Sequence, residues 1–308
     1  MSIVLYMQPQ TSPMGWEDFR LKYPPFSVAL DGFVADGPRF DAQGPRANFN
    51  HHECVDRLAT RATCAQVLMA IRQGLFHCFR NAEGPRMIVP VNDCDQDVCL
   101  SWFLLKHHYL VEQTMNPALN RLVSMEDALD TTAGAYPFPS DLPALQELAW
   151  VFEPYTQFRL TGGLARRDPE AFACIVSDVE LRIMAHITGR GQAMPLQTKY
   201  ERVGGGKGWS MVREIGAQAR TAMFADGVRA FVSVRQRGDG VYDYVYGRMS
   251  VFIPFGITRI FERANEIEGL ASAADRHGGN DIIGGSPRIA GSKIPPREME
   301  RLVDEVAL

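Results

Sequence analysis

Short apolar runs alternate with amphipathic stretches along the first half of the chain. Residues 2–7, 26–30 and 87–91 are apolar runs of strand length. Between the second and third, residues 60–75 place Cys64, Val67, Leu68, Ile71 and Leu75 at helical spacing. A second helix is predicted over 98–110, opened by an Asp-rich turn whose carboxylates suit a helix N-terminus. Strands alternating with helices predict an α/β fold, with a mostly parallel sheet flanked by helices.

Residues 142–152 predict a further helix, ended by Glu153-Pro154. The polar, glycine-containing segment 161–167 reads as a linker. Asp168 followed by Pro169 has the pattern of an N-cap and a first helical residue, and opens a helix that continues to 187. The predicted division is therefore residues 1–160 and a second, smaller α/β domain over 161–308. In the second part, 197–203 reads as a strand, 204–208 as a glycine turn and 211–224 as a helix. Strands over 229–235 and 241–246 flank Gly238-Asp239-Gly240, a hairpin signal. Helices are predicted over 255–268 and 296–306, with a glycine-rich loop at 278–288 between them.

With 308 residues, 46% hydrophobic and 22% charged, the composition is that of an ordinary globular protein. A net charge of −4 gives no global drive toward nucleic acid or anionic membrane. The six cysteines form no C-x-x-C pair, which argues against a structural zinc site. Their scatter, and the short uncharged run 1–7 in place of a secretory leader, predict reduced thiols and a cytoplasmic location. No apolar run is long enough to span a bilayer, so no membrane partner is expected.

Two motifs carry candidate chemistry. Asn50-His51-His52-Glu53 sets adjacent imidazoles beside a carboxylate. Asp93-Cys94-Asp95-Gln96-Asp97 sets three carboxylates at alternate positions after an apolar strand. Neutral imidazole and ionised carboxylate suit divalent ions such as Mn, Zn or Mg. In open α/β sheets ligands sit beyond the carboxyl ends of strands, where crowded carboxylates repel one another unless a cation neutralises them. Solvated loops and helix capping are the competing explanation for each motif. Asp31, at the end of a strand before Gly32, is either a ligand or a turn residue. Asp130-Thr131 offers another carboxylate or an exposed acidic helix end. The glycines of 204–208, with Lys207, lack P-loop spacing and read as a hairpin turn. The loop 278–288, with Arg276 and His277 beside it, either combines backbone donors with cationic side chains suited to an oxyanion or nucleotide, or is a purely structural glycine-rich turn. His107 and His108 are neighbours on a helix and point apart, which excludes joint ligation.

Taken together, these pieces resemble the DHH phosphoesterase superfamily. Asn50-His51-His52 stands where that family has Asp-His-His, and Ala62-Thr63-Cys64-Ala65 resembles the small-residue helix that follows. Asp95-Gln96-Asp97 resembles the family's D-x-D motif, Asp31 its strand-end Asp and Asp130 its last ligand. Gly278-Gly279 through Gly291-Ser292 is similar to the glycine-rich loop of the associated C-terminal domain. The chain departs from the pattern at Asn50, at Val91 where the family has His, and in motif order, which a permuted strand order would reconcile. The resemblance implies a divalent metal, manganese first and magnesium as the alternative, held by Asp31, His51, His52, Asp95, Asp97 and Asp130 with Asp93 in reserve. It implies His52 and Asp97 as catalytic residues, and His277, Gly278, Gly279 and Arg288 as substrate-binding. The expected reaction is hydrolysis of a phosphoester or phosphoanhydride. The expected partner is a nucleotide, a short oligonucleotide or a small phosphorylated molecule. The competing class is a non-catalytic nucleotide- or phosphate-binding regulator on the same scaffold. The oligomeric state is not legible.

Overall fold

The computed structural model describes residues 2–57, 59–112 and 116–307. The chain divides into two compact units, one of Met1–Thr131 with Pro143–Pro195, the other of Thr132–Leu142 with Leu196–Leu308. The division thus falls at 195/196, beyond the expected 160/161.

The first unit contains, in order, β1 (Ser2–Met7), α1 (Trp16–Lys22), β2 (Ser27–Leu30), β3 (Arg39–Asp41), β4 (Arg46–Phe49), α2 (Thr63–Arg72), α3 (Leu75–Cys78), β5 (Arg80–Asn81) and β6 (Gly84–Val91). It continues with α4 (Gln96–Lys106), α5 (Tyr109–Glu112), α6 (Pro117–Asp130), α7 (Pro143–Val151), α8 (Glu153–Leu160), α9 (Gly163–Arg166) and α10 (Pro169–Ile187). The strand order is β1-β6-β2-β4-β3, with β5 paired to β6 alone. The pairs β1·β6, β6·β2 and β2·β4 are parallel, and only the edge strand β3 and the short β5 pair antiparallel. All four residues of β2 are buried, as expected of a central parallel strand covered on both faces. Helix α4 is buried from Asp97 through Leu105, all round its circumference, so it lies inside the layer. The α/β expectation holds for this sheet.

Several elements differ from expectation in extent. The helix predicted over 60–75 ends at Arg72, and α3 follows separately. The helix predicted over 98–110 is α4 plus the single turn α5. Glu153-Pro154, read as a stop, opens α8 instead, because proline is tolerated in a first turn. The segment read as a linker holds α9. Asp168 caps α10 as expected, its side chain accepting from Glu170 N at 3.0 Å.

The second unit contains β7 (Tyr200–Gly206), β8 (Trp209–Glu214), α11 (Ala219–Ala225), β9 (Ala230–Gln236), β10 (Tyr242–Arg248), α12 (Ile257–Glu268), β11 (Gly278–Gly279), β12 (Ile283–Gly285) and α13 (Pro296–Val306). Its sheet runs β11-β12-β10-β9-β8-β7. Only β8·β9 is parallel, and α11 makes that crossover. The helix predicted over 211–224 is therefore a correction. Trp209 to Val212 are four consecutive buried residues, which is a strand pattern, and the helix begins only at Ala219. Val232, Tyr244, Tyr246, Ile260, Met299 and Leu302 meet in one core between the sheet and helices α12 and α13.

The six cysteines are unbridged. Among the described residues, no helix is long and apolar enough to cross a membrane.

Candidate metal centre

Because β2, β4 and β6 run parallel, their carboxyl ends share one edge of the sheet. Asp31 follows β2, Asn50-His51-His52 follows β4, and the Asp93–Asp97 turn follows β6. Asp130 arrives separately, as the last residue of α6.

His51 is 1% exposed. Its Nε2 lies 2.8 Å from Asp130 Oδ2, 3.4 Å from Asp31 Oδ1 and 3.9 Å from Asp97 Oδ2. Despite the short separation, neither His51 Nε2 nor Asp130 Oδ2 has a partner in hydrogen-bonding geometry, and both atoms are buried. The opposite ring nitrogen, Nδ1, lies 3.2 Å from Arg57 Nη1, which also donates to the His51 carbonyl. Arginine only donates, so Nδ1 accepts and a neutral ring carries its proton on Nε2, toward the carboxylates. Burial alone would lower the His51 pKa, but Asp130 and Asp31 outweigh it and raise it to about 11. The buried carboxylates demand positive charge, which without an ion comes from protons.

His52 is half-exposed, with its Nε2 2.9 Å from Asp31 Oδ1. Asp31 itself has φ +46°, in the left-handed region that costs an L-residue roughly 1–2 kcal/mol. The strain turns the carboxylate back over the strand end, where Oδ1 also accepts from Thr63 Oγ1 at 3.1 Å. Burial opposes ionisation of Asp31, yet His52 and His51 hold it well below the usual carboxylate range.

Asp97 is 2% exposed and clamps α2. Its Oδ2 accepts from Thr63 N at 2.7 Å and its Oδ1 from Cys64 N at 2.6 Å. Ala62 at the N-cap of α2 has no side-chain oxygen, so these donors, with Ala62 N bound to Asp127 Oδ1 at 2.8 Å, are satisfied from α4 and α6. Burial and repulsion from Asp31 and Asp130 push Asp97 up to about 7.

Asn50, where the resembled family has Asp, is fully buried and is used for its amide hydrogens. Nδ2 donates to Asp36 O at 2.9 Å, Glu53 Oε2 at 2.9 Å and Val34 O at 3.3 Å, while Oδ1 accepts from His52 N at 3.0 Å. A carboxylate here would lose those donors and face Glu53. Asn50 therefore shapes the loop that presents His51 and His52.

Among the described residues, two groups of potential ligand atoms lie within mutual reach: Asp31, His51 and His52, and His51, Asp97 and Asp130. These buried groups could hold a metal ion. Asp95 and Asp93 belong to neither. Asp95 caps α4, accepting from Val98 N at 2.9 Å, and Asp93 Oδ1 accepts from Cys94 N at 2.7 Å. For Asp95 the capping explanation describes what is seen, while Asp93 binds the backbone just ahead of the cap. Glu126 is a carboxylate that sequence reading missed. It is 3% exposed, one turn before Asp130 on α6, and burial together with Asp130 and Asp97 raises its pKa well above normal. The Gln96 amide, oriented to donate, meets both of its oxygens at 3.1 and 3.2 Å.

The residues expected to bind substrate lie in the second unit and serve its interior. His277 is 1% exposed, with Nδ1 3.0 Å from Tyr246 Oη and Nε2 2.5 Å from Glu268 Oε2. Both ring nitrogens are engaged, which leaves none for a ligand. Gly278 and Gly279 form β11, and a Cβ on Gly279 would stand 2.4 Å from Gly284 Cα. Gly279 is there for close backbone approach. Arg288 N, Ile289 N and Ala290 N all donate to the Asp275 carboxylate. In the 204–208 turn, Gly205 N donates to Glu300 Oε1 at 2.6 Å, and a Cβ on Gly206 would meet Asp304 Oδ1 at 1.9 Å. The backbone donors that could cradle an anion are filled by the chain's own carboxylates.

No protein-family model, no curated protein and no solved structure matches this chain.

Proposed function

We propose that this protein is a divalent-cation-dependent phosphoesterase related to the DHH superfamily, hydrolysing a phosphoester or phosphoanhydride of a nucleotide, short oligonucleotide or small phosphorylated metabolite. The observation that carries the reading is the pair His51 Nε2 and Asp130 Oδ2, buried and 2.8 Å apart, close enough for an ion pair yet outside hydrogen-bond geometry. Native proteins rarely leave such atoms unpaired, and a shared cation satisfies both. His51, Asp97 and Asp130 would hold the ion, with Asp31 at its margin, and this mixed imidazole and carboxylate set suits manganese, with magnesium the alternative. When bound, the ion supplies Lewis acidity at phosphorus and acidifies a water for attack.

The chain's own groups do the rest. Thr63 N and Cys64 N fix the Asp97 carboxylate on α2, so the ligand cannot rotate away. His51 would offer Nε2 to the ion, while the bond from Arg57 to the His51 carbonyl holds the residue in place. His52, oriented by Asp31 and reaching solvent, donates its proton to the leaving oxygen. Burial opposes protonation of His52, but Asp31 raises its pKa and keeps that proton in place.

Purified protein is expected to take up Mn and hydrolyse generic phosphodiesters or short oligonucleotides. His51→Ala should remove both properties. His52→Gln should retain the ion and lose about 10²–10⁴ in turnover, the usual worth of a general acid. Undiminished turnover after removal of all divalent ions would defeat the reading. The engagement of both Asp97 oxygens by backbone favours one rival, a phosphate-binding regulator. That rival predicts thermal stabilisation by nucleotide with no turnover at any ion concentration.

A further inference from the structure

We infer that the centre takes a single divalent cation, seated between His51, Asp97 and Asp130, and that Asp31 and His52 beside it form a closed pair rather than the seat of a second ion. The inference rests on the metal reading above and narrows it.

Both groups of potential ligands require the same atom, Nε2 of His51. An imidazole nitrogen has one lone pair and binds one ion, and the other ring nitrogen faces Arg57. The two groups are therefore alternative seats, and hydrogen-bond satisfaction decides between them. In the first, Asp31 Oδ1 already accepts from Thr63 Oγ1 at 3.1 Å and lies 2.9 Å from His52 Nε2. Only His51 Nε2, common to both groups, lacks a hydrogen bond there. In the second, His51 Nε2 and Asp130 Oδ2 are both buried without a partner, and Asp97 Oδ2 is 3.9 Å away from that Nε2. A buried polar atom outside hydrogen-bond geometry is costly, and only the second seat adds Asp130 Oδ2 to His51 Nε2, so the second seat gains most from a cation.

Charge and spacing agree. Asp97 and Asp130 bring the two negative charges that one divalent ion neutralises. Two-ion centres hold their ions about 3.5–4 Å apart, and each ion needs an imidazole or carboxylate of its own. The second imidazole here, His52, is turned onto Asp31. Asp95 is committed to the N-terminus of α4, and Asp93 accepts from the neighbouring Cys94 N; neither belongs to a ligand group. Glu126 faces Gln96 and lies outside both groups.

The test is metal stoichiometry on the full chain, stripped with chelator and titrated with Mn or Zn alone. Bound ion would be counted by elemental analysis after dialysis and by calorimetry, with circular dichroism confirming the fold. One ion per chain is expected. Asp130→Asn should weaken binding by more than about 100-fold, since even partners behind a ligand cost 10–100-fold. His52→Gln should leave stoichiometry at one and affinity within about threefold. Two ions per chain, or loss of one equivalent in His52→Gln, overturns the inference while leaving the metal reading intact. No bound ion in the folded wild-type chain overturns both.

Discussion

His51 and His277 are equally hidden, each 1% exposed and each facing carboxylates, yet they belong to opposite kinds of polar interior. Around His277 every group has its counterpart. Tyr246 donates to Nδ1, Nε2–H donates to Glu268, and the backbone N and O of His277 are held by the Asn265 side chain. Glu268 takes Ser292 Oγ at 3.1 Å and Lys293 N at 2.6 Å as well. Around His51 three carboxylates converge on one nitrogen, and two buried atoms, 2.8 Å apart, make no well-formed hydrogen bond. A satisfied buried network rigidifies its surroundings, whereas an unsatisfied one calls for something further. Residue type and burial are the same in both places, so satisfaction is what separates a strut from a site.

The comparison is broken most forcefully by removing a strut. His277→Ala leaves buried Tyr246 and the Glu268 side chain without the ring between them, and each buried polar group left unpaired costs about 1–3 kcal/mol. Hydrogen exchange of the β9 and β10 amides should accelerate accordingly, while α2 and α4 amides hold their rates. Unchanged exchange in β10 would place His277 outside the structural network and return it to the substrate-binding role.

The metal centre responds to protons rather than to packing. His51 is held protonated up to about 11, and a cation must take the lone pair that this proton occupies. Binding therefore releases protons, and apparent cation affinity rises with pH. For each proton released the slope is up to about tenfold per pH unit, or 1.4 kcal/mol, between pH 6 and 8. Calorimetry in buffers of different ionisation enthalpy counts the protons directly. A flat profile would mean that Nε2 is not a ligand.

The two regions were not equally legible in the sequence. His51, Asp31 and Asp97 could be singled out because each sits at the carboxyl end of a parallel strand or at the helix start after it, and apolar runs mark strand ends well. Asp93 and Asp95 share that position, but alternate spacing does not say which carboxylates cap a helix and which turn inward. Glu126 escaped because Glu126, Asp127 and Asp130 together read as an exposed acidic face. Only the packing of α6 shows that Asp127 takes Ala62 N and Arg61 while Glu126 is buried. In the second unit glycine density suggested anion binding. The cause is steric instead: Gly206 makes room for Asp304, and Gly279 for the neighbouring strand. Asp275 and Glu300, which fill the backbone donors, lie 13 residues before Arg288 and 95 after Gly205, separations that local pattern cannot bridge.

The finest distinction lies in a single hydroxyl. Tyr246 Oη can donate to His277 Nδ1 only while that nitrogen is unprotonated, and burial lowers the His277 pKa below its ordinary 6.5 despite Glu268. The folded state thus binds this proton less readily than the unfolded chain. Stability from the neutral ring is present above about pH 6.5 and is lost as pH falls through the depressed folded value. Tyr246→Phe removes the donor and should cost about 1 kcal/mol at neutral pH, the net worth of one buried hydrogen bond. The same change should flatten the acid dependence of β10 exchange, because the bond that acid would break is already gone. A variant as steep in its pH response as the wild type would show that burial, not the Tyr246 hydroxyl, sets the protonation of His277. The contrast with His51 would then rest on carboxylate geometry rather than on a complete set of partners.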